Sequence, residues 1–197
     1  MRIAQVAPLY ESVPPKLYGG TERVVSYLTE GLVELGHEAT LFATADSKTK
    51  ANLIAPCEQA LWQDENYREW LPYELRLMEL VFKDLSRFEV IHFHADYIQF
   101  PFLRRQPWAN ITTMHGRLHA PDLKPLFDEY AEMPLVPSPT INADLCRTQT
   151  GKRPFITDYP EACTACMKVL VSTWHSLVAF LRKSGWIALS PSPAKQV

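Results

Sequence analysis

A short apolar run, a loop with two adjacent glycines and an amphipathic stretch follow one another in the first 35 residues, and nothing else in the chain restricts the fold as tightly. Residues 3–7 are apolar without regular polar alternation, as expected of a strand buried on both faces. Pro8 closes the run, and a loop through Pro14 and Pro15 leads to Tyr18-Gly19-Gly20-Thr21-Glu22. Val24, Val25, Leu28, Leu32 and Leu35 then recur at helical spacing and form one apolar stripe. Thr21 is the expected N-cap, Glu22 falls in the first turn where a carboxylate suits the helix dipole, and Gly36 supplies the stop. Glycines admit a ligand close to the backbone, and the first N–H groups of a helix lack intrahelical partners. A strand, a glycine loop and a helix N-terminus in that order therefore suit an anionic ligand. The loop has neither the GxGxxG spacing nor the Walker lysine. Paired glycines also make ordinary turns, so the other strand ends have to decide.

Those ends repeat the theme. Residues 38–44 read as a second strand, residues 89–94 as a third and residues 110–114 as a fourth; Leu135 and Val136 begin a fifth. Between them, residues 48–60 read as a short helix ended at Pro56. Residues 66–87 read as a long helix with Leu75, Met78, Leu80, Val81 and Leu85 among its apolar positions, and residues 121–131 as a short helix. Strands alternating with helices predict an α/β, Rossmann-like parallel sheet flanked by helices. Ligands of such sheets bind beyond the carboxyl ends of the strands. Gly19-Gly20, His94 with Asp96 and Tyr97, and His115-Gly116 all fall there.

Composition narrows the classes. A net charge of −2 over 197 residues, without a basic stripe, gives nucleic-acid binding no electrostatic support. No apolar run has the length of a membrane span, and the N-terminus lacks the apolar core of a signal peptide. Cys57, Cys146, Cys163 and Cys166 fit reduced thiols better than a disulfide framework, which together predicts a cytoplasmic protein.

Other motifs carry less. Alternation puts His92 and His94 on one strand face, but no third ligand stands at a metal-binding spacing. Cys163-x-x-Cys166 has neither a second CxxC nor an HxxxH, and reads as incidental. His115 differs: a neutral imidazole at a strand end can hydrogen-bond a sugar hydroxyl or stabilise charge near a reacting carbon. A dinucleotide-dependent oxidoreductase is disfavoured, because no acidic residue ends the second strand in the expected setting and Asp46 lacks supporting neighbours.

Residues 1–47, with the later segments IHFHADYIQFPF and ITTMHGRL, strongly resemble the N-terminal domain of family-4 glycosyltransferases of the GT-B fold. The resemblance runs in register from Met1 to about Val136. It implies transfer of a hexose from a nucleoside diphosphate sugar to an acceptor, with retention and without a metal or other cofactor. Two Rossmann-like domains would close over the donor, this one on the acceptor side. Gly19 and Gly20 would lie against the donor phosphates, with Thr21 and Glu22 supporting the loop. His115, followed by Gly116, would lie by the transferred sugar as the catalytic residue, and His94, Asp96 and Tyr97 would line the cleft. The acidic motif for donor sugar and ribose would belong to the second, nucleotide-binding domain. The alternative is a non-catalytic module binding a sugar or a protein.

After Val136 the resemblance stops. Prolines cluster, three of the four cysteines fall there, and no acidic residue follows Glu161. Moving the reading frame by one base over permitted codons yields a family-like continuation for residues 137–160 and again for residues 161–196. The expectation is a domain over residues 1–136 and an off-frame tail over residues 137–197, with the isolated chain inactive.

Overall fold

The computed structural model describes residues 1–116 and 120–137. Six parallel strands form one sheet: β1 (Arg2–Val6), β2 (Glu38–Phe42), β3 (Asn52–Ile54), β4 (Val90–Phe93), β5 (Asn110–Met114) and β6 (Leu135–Pro137), in the order β3-β2-β1-β4-β5-β6. Among the described residues the α-helices are α1 (Gly20–Glu34), α2 (Leu71–Phe82), α3 (Phe100–Arg105) and α4 (Lys124–Glu129). The Rossmann-like α/β class expected from strand–helix alternation is the one observed. Strand order reverses between β1 and β4, which makes the crevice above their carboxyl ends the switch point where α/β sheets take ligands.

Alternation along the central strands assigns their side chains to two buried layers. Ala4 and Val6 of β1 join Ile91 and Phe93 of β4, together with Leu77, Met78 and Val81 of α2. Ile3 and Val90 face the other way, onto Leu28 and Leu32 of α1. With Ile3 and Val90 come the odd-numbered Gln5 and the even-numbered His92 and His94, so this second layer holds a row of buried polar groups beside α1. Burial on both faces explains the near-continuous apolar run of β1; Gln5 is its exception.

Helix α1 starts two residues earlier than expected. Gly19, not Thr21, is the N-cap, and no side chain caps the helix; the Arg23 N–H donates to Gly19 O at 3.0 Å instead. Gly19 takes φ +154°, which a Cβ-bearing residue such as Thr adopts only under strain, so the helix begins where the glycine permits. The C-terminus follows the expected stop at Gly36, at φ +79°. The Gly36 N–H donates to Val33 O and the His37 N–H to Leu32 O, the paired bonds of a Schellman motif. Leu35 is the C-cap and is 53% exposed, so it leaves the apolar stripe to which its spacing assigned it.

Residues 48–60 form no helix. Asn52–Ile54 pairs with Thr40–Phe42 as an edge strand, and Leu53 packs near Ala7, Val25 and Leu41. A third strand on this side gains ladder bonds and apolar contact that a helix interrupted by Pro56 would not make. The long helix of residues 66–87 contracts to α2: Pro72 sits in the first turn, where its fixed φ and missing N–H belong, and Leu85–Arg87 is a separate 3₁₀ turn. Leu75 faces solvent, 47% exposed, and the buried stripe is Glu74, Leu77, Met78 and Val81. The strand at residues 135–137 is therefore the sixth. Apart from Pro137, which ends β6, the expected off-frame tail lies outside the described residues, as does Cys163-x-x-Cys166; among the described residues Cys57 is a free thiol.

Candidate functional site

The carboxyl ends of β1, β4 and β5 lie side by side along the sheet, with the switch point between β1 and β4. The loop after β1 is fixed from two sides. The Val13 N–H donates to Ser47 Oγ at 2.9 Å and the Lys48 N–H to Val13 O at 2.7 Å, tying the loop to the end of β2. At its other end Arg23 Nη2 donates to Leu17 O at 3.1 Å. Gly19 packs on Pro15 so closely that no side chain fits, whereas a Cβ on Gly20 would meet nothing within 4 Å. Gly20 and Thr21 open the helix with N–H groups that have no intrahelical acceptor. Tyr18 beside them is 80% exposed. Behind the glycines lies negative charge: Glu22 and Glu11 are both buried, and burial first, then the Glu11 carboxylate, pushes the Glu22 carboxyl up, against its own backbone hydrogen bond.

The ends of β4 and β5 supply imidazoles. His94 Nδ1 lies 2.9 Å from His115 Nε2, and His94 Nε2 lies 3.1 Å from Gln5 Oε1. The His92 ring lies against His94, tilted by 37° with centroids 4.1 Å apart, and its Nε2 bonds Thr113 Oγ1 at 2.7 Å. His94 is 2% exposed and stands behind His115 rather than on the crevice wall; His115 is half-buried. Burial is the leading cause that depresses all three: His92 to about 3, His115 to about 4, and His94 well below the ordinary imidazole value, helped by its two histidine neighbours. At neutral pH all three rings are uncharged.

Asp96 and Tyr97 follow. Asp96 holds a left-handed backbone at φ +50°, uncommon outside glycine, asparagine and aspartate. Gln99 Nε2 braces the turn by donating to Asp96 O at 2.9 Å and to Thr112 Oγ1 at 3.0 Å. The Asp96 side chain reaches toward β5, and a Cβ on Gly116 would sit 3.8 Å from its Oδ1. Asp96 is exposed as a residue, yet the protein around its carboxyl excludes enough water to raise that pKa. Tyr97 is partly exposed beside it.

Two residues at this end of the sheet were not singled out from the sequence. Gln5 is the polar interruption of an apolar strand, a readable signal. Glu74 of α2 is buried, its Oε2 has no hydrogen-bond partner, and burial, then the Asp96 carboxylate, pushes its pKa up to about 7. A glutamate in the first turn of a helix is so common that nothing in the sequence marks Glu74. Among the described residues no group of three His, Cys, Asp or Glu is placed to hold a metal ion, and no helix is long and apolar enough to cross a membrane.

The profile of Glycosyltransferase Family 4 matches residues 18–149, from the glycine loop through β6 and beyond. The chain belongs to Glycosyltransferase Family 4. Among solved structures, this family-4 chain is similar to AviGT4, a glycosyltransferase involved in avilamycin A biosynthesis, at 24% identity and a TM-score of 0.44. That likeness covers 71% of this chain and 43% of AviGT4, so the chain spans less than half of that protein's length. It is also similar to the C-terminal domain of the coenzyme A biosynthesis bifunctional protein CoaBC, at 11% identity and a TM-score of 0.53, over 92% of this chain and 96% of that domain. At such low identity the second likeness speaks only for the fold. No curated protein sequence matches the family-4 chain.

Proposed function

We propose that residues 1–136 are the acceptor-side domain of a retaining, metal-independent glycosyltransferase of the cytoplasm. It would transfer a hexose from a nucleoside diphosphate sugar to an acceptor hydroxyl. In that reaction the bond from the anomeric carbon to the diphosphate oxygen breaks and one to the acceptor oxygen forms. What supports the reading is that the Gly19-Gly20 loop follows β1 and His115 follows β5, both at the carboxyl end of the sheet and on opposite sides of the switch point, in a family-4 chain. The Gly20 and Thr21 N–H groups suit a diphosphate that gains charge as it departs, because fixed dipoles need no reorganisation during the step. A neutral His115 suits a sugar hydroxyl. Thr21 and Glu22 hold the loop, and Asp96, Tyr97 and Gly116 form the opposite rim.

A second Rossmann-like domain completes the donor site in this proposal, and residues 137–197 are translated off its frame. The test compares two proteins: the chain as it stands, and the chain continued in the shifted frame through a complete nucleotide-binding domain. Calorimetry with a panel of nucleoside diphosphate sugars should detect binding by the second and not by the first. Absence of binding by the continued chain would refute the reading, and tight sugar binding by the present chain alone would favour a non-catalytic module.

A further inference from the structure

Gln5, His94 and His115 form a buried-to-surface file of hydrogen bonds, and elementary donor–acceptor rules orient it. Gln5 Oε1 carries no hydrogen, so the 3.1 Å contact requires the proton on His94 Nε2. A neutral imidazole has one N–H, which leaves His94 Nδ1 an acceptor. The 2.9 Å contact then requires the proton on His115 Nε2. No proton remains for His115 Nδ1, which makes no hydrogen bond among the described residues.

We propose that Gln5 and His94 are positioning residues that fix the tautomer of His115, so that His115 presents an unprotonated Nδ1 as a hydrogen-bond acceptor for a ligand hydroxyl. The file is well placed to impose this choice. Gln5 is 0% exposed, on a central strand whose register with β4 sets Gln5 opposite His92, one pleat from His94. Water cannot substitute for the amide there. The His92 ring, centred 4.1 Å away, and the burial around it penalise a positive charge on His94, which would otherwise erase the distinction between its two nitrogens. The chemistry selects its ligand. A lone pair accepts from a hydroxyl and repels a phosphate oxygen, so the anion is left to the Gly20 and Thr21 N–H groups. Assigning that hydroxyl to the transferred sugar rests on the glycosyl-transfer reading; the tautomer itself does not.

The test is ¹⁵N spectroscopy of the histidine rings in the labelled 197-residue chain at pH 7, which separates protonated from bare ring nitrogens. His94 and His115 are expected to be neutral, each protonated on Nε2. In Gln5→Leu, which removes the terminal acceptor, and in His94→Phe, which removes the partner of His115, the His115 signals should shift to a mixture of both tautomers. A wild-type His115 protonated on Nδ1, as a reversed Gln5 amide would impose, or an imidazolium at pH 7, overturns the proposal. So does an unchanged tautomer in both folded variants. Should neither variant fold, the wild-type spectrum alone decides. Because no donor is present, failed sugar-nucleotide binding would count against the transferase reading without touching this result.

Discussion

Gly19 sits so tightly against Pro15 that a methyl group on it would lie 2.6 Å from the proline Cβ and 2.9 Å from its Cγ. Its neighbour Gly20, one residue into α1, faces open space. Two adjacent glycines thus have different physical reasons to be glycine. Gly19→Ala forces both a contact no real Cβ shows and a strained φ, and should cost about 2–4 kcal/mol. Gly20→Ala should be neutral or slightly stabilising, within about 0.5 kcal/mol, because alanine suits a helical position. Urea denaturation of both variants checks the contrast; equal losses would contradict it.

The helix stop offers a second test of the same logic. Gly36 has φ +79° and open space around it, so Gly36→Ala meets no clash and suffers only the left-handed penalty. The expected loss is about 1 kcal/mol, smaller than at Gly19. A loss as large as that of Gly19→Ala would mean that steric contact is not what distinguishes the two sites.

Acid sensitivity follows from the imidazoles. His92 and His115 are depressed to about 3 and about 4 in the folded protein, from 6.5 when unfolded. Below pH 6.5 the unfolded chain therefore binds protons that the folded chain refuses, and stability falls as pH drops from 6.5 toward 4. Each group contributes a slope of at most about 1.4 kcal/mol per pH unit in that window. Because the raised Glu74 carboxyl opposes this trend, the histidine contribution is read in Glu74→Gln, whose denaturation midpoints should decline from pH 6.5 to 4.5; a flat profile in that variant would contradict the neutral buried state of the histidines.

Glu74 works in the opposite direction. Its carboxyl, raised to about 7 from 4.5, is protonated when folded and ionised when unfolded between those values, so it favours the folded state at low pH and loses that contribution as pH rises through 7. Above that, the buried and unpartnered carboxylate is a burden. Glu74→Gln should therefore be more stable than the wild type at pH 8.5, by about 1–3 kcal/mol, and no more stable at pH 5. Chemical denaturation at the two pH values checks the sign reversal.

How far the sequence discloses this site depends on whether a residue's role is local. The buried strands, the glycine loop and the helix behind it are legible, because apolar continuity, conformational freedom and a 3.6-residue period are written in adjacent positions. His94, Asp96 and His115 are legible as strand-end residues once an α/β sheet is inferred. Their ranking is not: that His94 is buried behind His115 depends on β4 lying beside β5 with Gln5 of β1 across from it. Glu74 is illegible for the same reason, since only the packing of α2 on the sheet turns it inward. Thr21 misleads because its propensity as a cap is overruled by the backbone freedom of Gly19. The edge strand at Asn52–Ile54 misleads because three residues hold no periodicity, and pairing with β2 alone makes them a strand.

A His115 that meets the transferred sugar, with the glycine loop holding the diphosphate, separates catalysis from nucleotide binding. Kinetics of His115→Ala, in the chain continued through a complete nucleotide-binding domain, test it most directly. Nucleoside diphosphate release would be followed against the unmutated protein, alongside calorimetry with the free nucleotide. The kcat should fall about 100-fold or more with nucleotide affinity unchanged, as loss of one preorganised group at a reacting centre produces. A variant that turns over at the wild-type rate, or that loses nucleotide affinity in proportion to rate, would contradict it.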